Sequence, residues 1–290
     1  METSRDYNAR QLLIFAAAVV FLCMFIPFGQ YLVYPFRLFG TFVHEAAHAL
    51  AAVVSGGQVV GMHVNWDTSG LTTTRGGSRF LISSAGYLGS ILLGALLLYL
   101  GRRRDWAKPT LIGLGVATLM ATVFFGGYGL ALLPILGFGL GVTLIWFGRK
   151  ENSRNASGGK YVVGGVAAVL IAVAYLALSG GLLTWAIGLV VGGAVLSVGA
   201  FGSKLWAHIT VLFLAVQTSL DGFHAVRNLL FITMDGRGHS DAANMAQQTG
   251  VPATFWALLW GLLGVAMVGA SLWLFWRDEK KQSLAKAMTR

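Results

Sequence analysis

Residues 38–55 read Leu38-Phe-Gly-Thr-Phe-Val-His44-Glu45-Ala-Ala-His48-Ala-Leu-Ala-Ala-Val-Val-Ser55. A helix needs about 20 mostly apolar residues to cross roughly 30 Å of hydrocarbon, and this stretch is nearly that long and that apolar. It nevertheless contains two histidines and a glutamate. Ionisable side chains inside a membrane are costly and persist mainly where they have partners or a function. The stretch therefore predicts a membrane helix that carries a functional site.

The composition of the whole chain indicates an integral membrane protein. Of its 290 residues, 56% are hydrophobic and only 11% are charged, and the mean hydropathy is +0.70. A soluble domain has about 25% charged residues. The apolar residues form long runs rather than the short alternating segments of a membrane barrel. The sequence therefore predicts an all-α fold, a polytopic bundle of membrane helices.

Apolar runs predict about nine transmembrane segments, or eight if one hairpin is re-entrant. Their approximate ranges are 12–28, 38–55, 80–100, 110–125, 129–147, 161–178, 182–198, 205–231 and 255–275. We expect residues 1–290 to form a single membrane domain. In this arrangement 101–204 is an apolar scaffold between two functional parts, 1–100 and 205–290.

One segment between the helices has a strand-like pattern. Residues 58–79 alternate β-branched and polar side chains around Asp67-Thr-Ser-Gly70. Such alternation around a turn sequence predicts a small hairpin or re-entrant β element directly after the first polar helix.

The distribution of charge identifies the lipid bilayer as a partner. The formal net charge is +10, and basic residues cluster at 102–108, 149–160 and 277–290. Basic loops beside apolar spans favour the cytoplasmic side, where we expect the C-terminus. No basic stripe follows a soluble face, which argues against nucleic-acid binding. The direction of the helix around His44 and the oligomeric state stay open.

The motif His44-Glu45-Ala-Ala-His48 predicts a zinc site. Residues i and i+4 of a helix lie about 40° apart on one face, so both imidazoles reach one ion. Glu45, at the edge of that face, is placed to act as the catalytic base on a water molecule. The same pattern arises by chance in soluble helices as two exposed histidines and a glutamate, but a membrane span disfavours that interpretation. The single cysteine, Cys23, excludes a thiolate cluster.

A catalytic zinc site needs a third protein ligand, for which two aspartates are candidates. Asp221 lies in an otherwise apolar segment, where coordination would account for a buried carboxylate. Asp241 is the alternative ligand, although it could equally cap a helix. We favour Asp221 on the sequence alone.

Several motifs together resemble a known family, the site-2 protease group of membrane metallopeptidases and, more closely, its M50B-like branch. They cover the first hundred and the last eighty residues, and they are His44-Glu-Ala-Ala-His-Ala-Leu50, Gly70-Leu-Thr-Thr-Thr-Arg-Gly-Gly77, Ala85-Gly-Tyr-Leu-Gly-Ser90, Leu220-Asp-Gly222, Ser240-Asp-Ala-Ala243 and Thr249-Gly-Val-Pro252 with Trp256 and Trp260. One departure is Tyr87, because the group usually has Ala-Gly-Pro where this chain has Ala85-Gly86-Tyr87.

This resemblance implies a zinc-dependent intramembrane endopeptidase in a bacterial cytoplasmic membrane. It assigns Zn²⁺ to His44, His48 and Asp221, and water activation to Glu45. The β-like segment would pair with an unfolding transmembrane or membrane-adjacent substrate by strand addition. Two other classes remain in view: a non-catalytic membrane protein with a structural or regulatory zinc site and, less favoured, a transporter.

Overall fold

A computed structural model describes residues 8–127, 132–152, 159–234 and 240–288. Ten α-helices and one two-stranded sheet make up the described fold. In chain order they are α1 (Ala9–Phe25), α2 (Gly29–Val54), β1 (Gln58–Val64), β2 (Gly70–Arg75), α3 (Arg79–Gly101), α4 (Ala107–Phe125), α5 (Leu132–Asn152), α6 (Gly159–Leu178), α7 (Leu182–Phe201), α8 (Lys204–Met234), α9 (Asp241–Thr249) and α10 (Ala253–Met288).

Within the described residues, six helices are long and apolar enough to cross a membrane: α3, α4 with the short 3₁₀ turn before it, α6, α7, α8 and α10. The helix α1 is apolar but shorter. The predicted helical membrane fold with a small β element is therefore found, whereas the predicted eight or nine segments are not confirmed. The helix α2 is not among the six because Arg37, His44, Glu45 and His48 lower its mean hydropathy.

The first two helices meet at Phe28. Its backbone has φ = 72°, in the left-handed region that residues other than glycine rarely adopt, and α2 begins at the next residue. We predicted that the second segment begins at Leu38. It begins instead at Gly29 and continues through Pro35 into the histidine motif, so α2 is a single helix of 26 residues.

Small residues allow α3 to approach both α2 and α8. A Cβ atom at Gly89 of α3 would lie 2.6 Å from the Cβ of Ala47 in α2. At Gly94 it would lie 2.4 Å from the Ser219 hydroxyl oxygen in α8. Small residues at such positions allow membrane helices to pack closely. They bring the histidine helix against the backbone of α3.

The strands β1 and β2 form the hairpin that the alternating sequence predicts. They pair antiparallel from Gln58–Arg75 to Val64–Gly70, with an irregularity between Val59 and Gly61. The turn is closed by a hydrogen bond from the Asn65 N–H to the Ser69 carbonyl oxygen at 2.9 Å.

The loops and helices of the apolar scaffold (101–204) hold this hairpin in place. The Met62 carbonyl oxygen accepts a hydrogen bond from the Gly127 N–H at 2.8 Å, and the Val64 N–H donates to the Thr184 hydroxyl at 2.9 Å. The His63 ring nitrogen Nδ1 lies 3.0 Å from the Gly180 carbonyl oxygen. The α4 end, the α6–α7 turn and α7 therefore fix β1, and through it they fix the position of β2.

Candidate metal centre

Three potential ligand atoms meet where α2 and α9 approach each other. His44 Nε2 and His48 Nε2 are 3.1 Å apart. Asp241 Oδ2 lies 3.4 Å from the first and 3.2 Å from the second. Zinc–nitrogen bonds of about 2.0–2.1 Å in tetrahedral geometry place neighbouring ligands about 3.3–3.4 Å apart. The spacing of the three atoms therefore fits three ligands of one zinc ion.

A second contact fixes which nitrogen of His48 faces this centre. Its Nδ1 lies 2.6 Å from the main-chain carbonyl oxygen of Ile82, at the start of α3. A carbonyl oxygen only accepts hydrogen bonds, so Nδ1 carries the proton and Nε2 presents its lone pair. Carbonyl partners of this kind orient metal-binding histidines and raise their basicity.

Asp241 is free to act as a ligand because another residue caps its helix. The Ser240 hydroxyl accepts a hydrogen bond from the Ala243 N–H at 3.2 Å, which makes Ser240 the N-cap of α9. Fully buried Ala242 and Met245 pack with Trp260 of α10 and hold α9 in position. Burial raises the pKa of the Asp241 carboxyl, but hydrogen bonds and charge from His44 and His48 outweigh this and keep the pKa below its usual value.

The Glu45 carboxylate lies beside the centre and is held by β2. Glu45 is 5% exposed, and its Oε2 accepts a hydrogen bond from the Thr72 hydroxyl at 2.7 Å. Gly70 lies on its other side, where a Cβ atom would come within 2.4 Å of Oε1. The hairpin therefore sets the orientation of this carboxylate, which a helix alone would leave variable.

The helix α3 closes the centre from a third side. A Cβ atom at Gly86 would lie 2.4 Å from both His44 Nε2 and His48 Nε2, so only glycine fits there. The next residue, Tyr87, places its ring edge-to-face with the His44 ring, with centroids 4.7 Å apart and planes at 86°.

All these groups open into one cavity of about 1050 Å³. His44, Glu45, His48 and Asp241 lie in its wall together with Thr72 and Tyr87 of the surrounding elements. Three arginines, Arg37, Arg79 and Arg227, also line it. The volume accommodates a peptide segment rather than only a small ion or water.

The family model for Peptidase M50B-like proteins matches residues 13–159 and 152–271 of this chain. The chain belongs to the M50B-like peptidase family. The resemblance found in the sequence motifs is thereby confirmed. No curated protein and no solved structure matches the chain in the corresponding comparisons.

In this M50B-like peptidase the structure brings Asp241, rather than Asp221, to the two histidines. His44, His48 and Asp241 form the group of possible metal ligands among the described residues. Asp221 lines the same cavity from α8, but the Gln217 side-chain amide donates to both of its carboxylate oxygens at 3.0 Å. Asp221 also lies against Gly40, where a Cβ atom would be 2.9 Å from its Oδ2.

Three further residues of the candidate metal centre were not assigned roles from the sequence. Thr72 holds Glu45, the Ile82 carbonyl oxygen orients His48, and Gly86 leaves room for both imidazoles. Thr72 and Gly86 do lie within the motifs that carry the family resemblance. The Ile82 contact is made by the main-chain carbonyl group, so the residue type at position 82 could not indicate it.

Proposed function

We propose that this M50B-like peptidase is a zinc-dependent intramembrane endopeptidase whose zinc ligands are His44, His48 and Asp241. The supporting observation is the triangle of ligand atoms with sides of 3.1, 3.2 and 3.4 Å. Two neutral imidazoles and one carboxylate are a ligand set that zinc uses in catalytic sites, with the fourth position left for water or substrate. M50 peptidases are in general zinc-dependent. The site therefore fits the ion in number, kind and spacing of ligands.

A zinc ion held by His44, His48 and Asp241 would supply a Lewis acid for the scissile carbonyl group and a water molecule with a pKa of about 7. Glu45 takes one proton from the attacking water as its oxygen forms a bond to the carbonyl carbon. The carbon–nitrogen bond then breaks, and Glu45 gives that proton to the departing amine. One water is consumed, and a carboxyl end and an amino end are produced.

Thr72 and Ile82 keep the reacting groups oriented in this scheme. The Thr72 hydroxyl donates a hydrogen bond to Oε2 of Glu45, and Gly70 lies against Oε1, so the carboxylate keeps one orientation beside the centre. The Ile82 carbonyl oxygen holds the His48 ring with Nε2 towards the centre. Fixed orientation of this kind is a large part of the rate enhancement in enzymes.

The substrate in this proposal is an extended peptide that lies along β2. In the described part of the chain, β2 pairs with β1 and ends the two-stranded sheet. Gly70, Leu71, Thr72 and Thr74 of β2 line the cavity beside Glu45. A peptide that adds to this strand is held by main-chain hydrogen bonds regardless of its sequence. Because a helical peptide bond is shielded, a transmembrane substrate has to unwind locally before it is cut.

Zinc content and peptide hydrolysis in matched variants test the proposal. Purified wild type, Glu45→Gln and His44→Ala are analysed for zinc and assayed in detergent micelles with labelled casein and a fluorescent transmembrane peptide interrupted by Gly-Gly. We expect about one zinc in wild type and in Glu45→Gln, and little in His44→Ala, because Glu45 is not a ligand. Hydrolysis should fall at least about 10²-fold in Glu45→Gln, as for loss of a general base.

Two results would contradict this function. If wild type purified without chelator contains no zinc, the proposed zinc centre is contradicted. About one zinc per chain with equal, background hydrolysis by wild type and Glu45→Gln indicates a structural or regulatory zinc site instead.

A further inference from the structure

Tyr87 lies one residue beyond the closest approach of α3 to the metal centre. Gly86 is that point of approach, and the Tyr87 ring contacts the His44 ring at a centroid distance of 4.7 Å. The side chain lines the same cavity as Glu45 and Asp241. The phenol is therefore close to the place where a substrate carbonyl would be attacked.

A rigid aromatic contact holds the Tyr87 ring. Trp260 of α10 stacks on it with centroids 5.5 Å apart and an angle of 17° between the planes. Trp260 is 1% exposed and packs against Ala242 and Met245, on the helix that carries Asp241. Stacked and edge-to-face pairs are the two favoured aromatic arrangements. Tyr87 is thus held between His44 and Trp260, and its hydroxyl has a fixed position relative to both α2 and α9.

The hydroxyl of this fixed ring has no protein partner among the residues that the structure describes. The hydroxyl oxygen is also not fully buried. It is therefore accessible from the cavity that Tyr87 lines. A largely buried tyrosine hydroxyl ordinarily finds a partner. Tyr87 therefore offers an unused O–H donor inside the proposed active site.

We infer that Tyr87 is a catalytic residue of this peptidase, and that its phenolic O–H donates a hydrogen bond to the oxyanion that develops on the scissile carbonyl oxygen. The inference rests on the proposed endopeptidase function. The proton stays on the Tyr87 oxygen throughout, while Glu45 carries the proton from water to the amine. Prearranged donors aimed at a developing negative charge stabilise the transition state more than the substrate.

The variant Tyr87→Phe tests this role because it keeps the ring and removes only the hydroxyl. Tyr99→Phe is the matched control: Tyr99 lies on the same helix, but its ring contacts the Arg102 guanidinium at 3.6 Å, away from the cavity residues. Three quantities are measured for each protein: zinc content, kcat and KM for labelled casein, and affinity for an N-phosphoryl dipeptide. The phosphoryl oxygens of that probe stand in for the oxygens of the tetrahedral transition state.

Tyr87→Phe should retain about one zinc and lose about 10²–10³-fold in kcat, the usual effect of removing one oxyanion donor. KM should change less than about threefold, because the ground-state carbonyl gains little from the donor. The N-phosphoryl dipeptide should bind at least about tenfold more weakly. Tyr99→Phe should match wild type in all three measurements.

The results that overturn the inference can be told apart from a failure of the proposed function. If Tyr87→Phe hydrolyses casein within about twofold of wild type, the hydroxyl has no catalytic role. If Tyr87→Phe loses zinc, the residue positions ligands instead. If wild type holds zinc but hydrolyses neither substrate, the endopeptidase function is contradicted. If wild type and Tyr87→Phe then also bind the N-phosphoryl dipeptide equally well, the oxyanion role of Tyr87 is contradicted as well. If wild type contains no zinc, both the endopeptidase function and the role of Tyr87 are contradicted.

Discussion

The Thr72 hydroxyl bridges two oxygens of Glu45, because it lies 2.7 Å from the side-chain Oε2 and 3.0 Å from the main-chain carbonyl oxygen. This contact joins the edge of the hairpin to the helix that carries both histidines. It makes β2 part of the candidate metal centre as well as the proposed docking strand for the substrate. A substrate that lies along β2 is therefore positioned by the same strand that positions the base.

Replacing Thr72 should slow catalysis without removing the metal. Valine has nearly the same shape as threonine but cannot donate, so Thr72→Val frees the Glu45 carboxylate to take other orientations. A hydrogen bond to a charged group contributes about 1.5–3 kcal/mol, and each 1.4 kcal/mol corresponds to about tenfold in rate, so kcat should fall at least about tenfold. Zinc content, kcat and KM are measured together. Thr72→Ser keeps the hydroxyl and should restore most of the activity; equal loss in both variants would contradict a hydrogen-bonding role.

The two aspartates should behave differently when their charge is removed. Asp241→Asn replaces a carboxylate ligand by a neutral amide, so the zinc content should fall well below that of wild type. Asp221→Asn should retain zinc, because Asp221 is held by Gln217 and lies outside the group of three ligand atoms. Elemental analysis and competition with a chelator measure content and affinity. Retention by Asp241→Asn together with loss by Asp221→Asn would return the third ligand to Asp221.

The proximity of His44 and His48 could be predicted from the sequence, whereas the residue that completes the candidate ligand group could not be identified in the same way. Helix geometry fixes the relation of residues i and i+4, but the meeting of α2 with α9 depends on packing between distant parts of the chain. Asp221 was favoured because a lone carboxylate in an apolar segment needs a partner. The structure supplies that partner one helical turn earlier, at Gln217. Asp241 was also regarded as a possible N-cap, a role that its neighbour Ser240 fills.

Hydropathy located most helices but not the limits of the one that carries the site. The sequence separated residues 12–28 from 38–55, and the structure instead joins 29–37 to the histidine motif in α2. Pro35 and Arg37 interrupt the apolar pattern within that stretch. A left-handed backbone at Phe28, which sequence periodicity does not reveal, is where the chain turns. The hairpin was predictable because alternation of side chains is a local property.

Gly86→Ala should displace zinc while preserving the helix. A methyl group there would lie 2.4 Å from both His44 Nε2 and His48 Nε2, closer than real Cβ contacts allow, so the imidazoles or α3 must move. Alanine favours a helix interior over glycine by about 1 kcal/mol, so weakening of α3 itself is not expected. Gly113→Ala in α4 is the control, because a Cβ atom there meets no atom within 4 Å. Zinc content should fall in the first variant and stay at the wild-type value in the second; equal contents would show that the centre tolerates the methyl group.

Removing the metal should destabilise the fold in a way that depends on the ligands. His44 and His48 lie on α2 and Asp241 lies on α9, so a shared ion would link two helices that are far apart in the sequence. A ligand that binds only the folded state at about 1,000 times its Kd stabilises it by about 4 kcal/mol. Treatment with 1,10-phenanthroline should therefore lower the Tm of wild type and of Glu45→Gln, and added zinc should restore it. His44→Ala should start near the lower Tm and show little response to either treatment. If chelation lowers the Tm of His44→Ala as much as that of wild type, the stabilising metal is bound somewhere else in the protein.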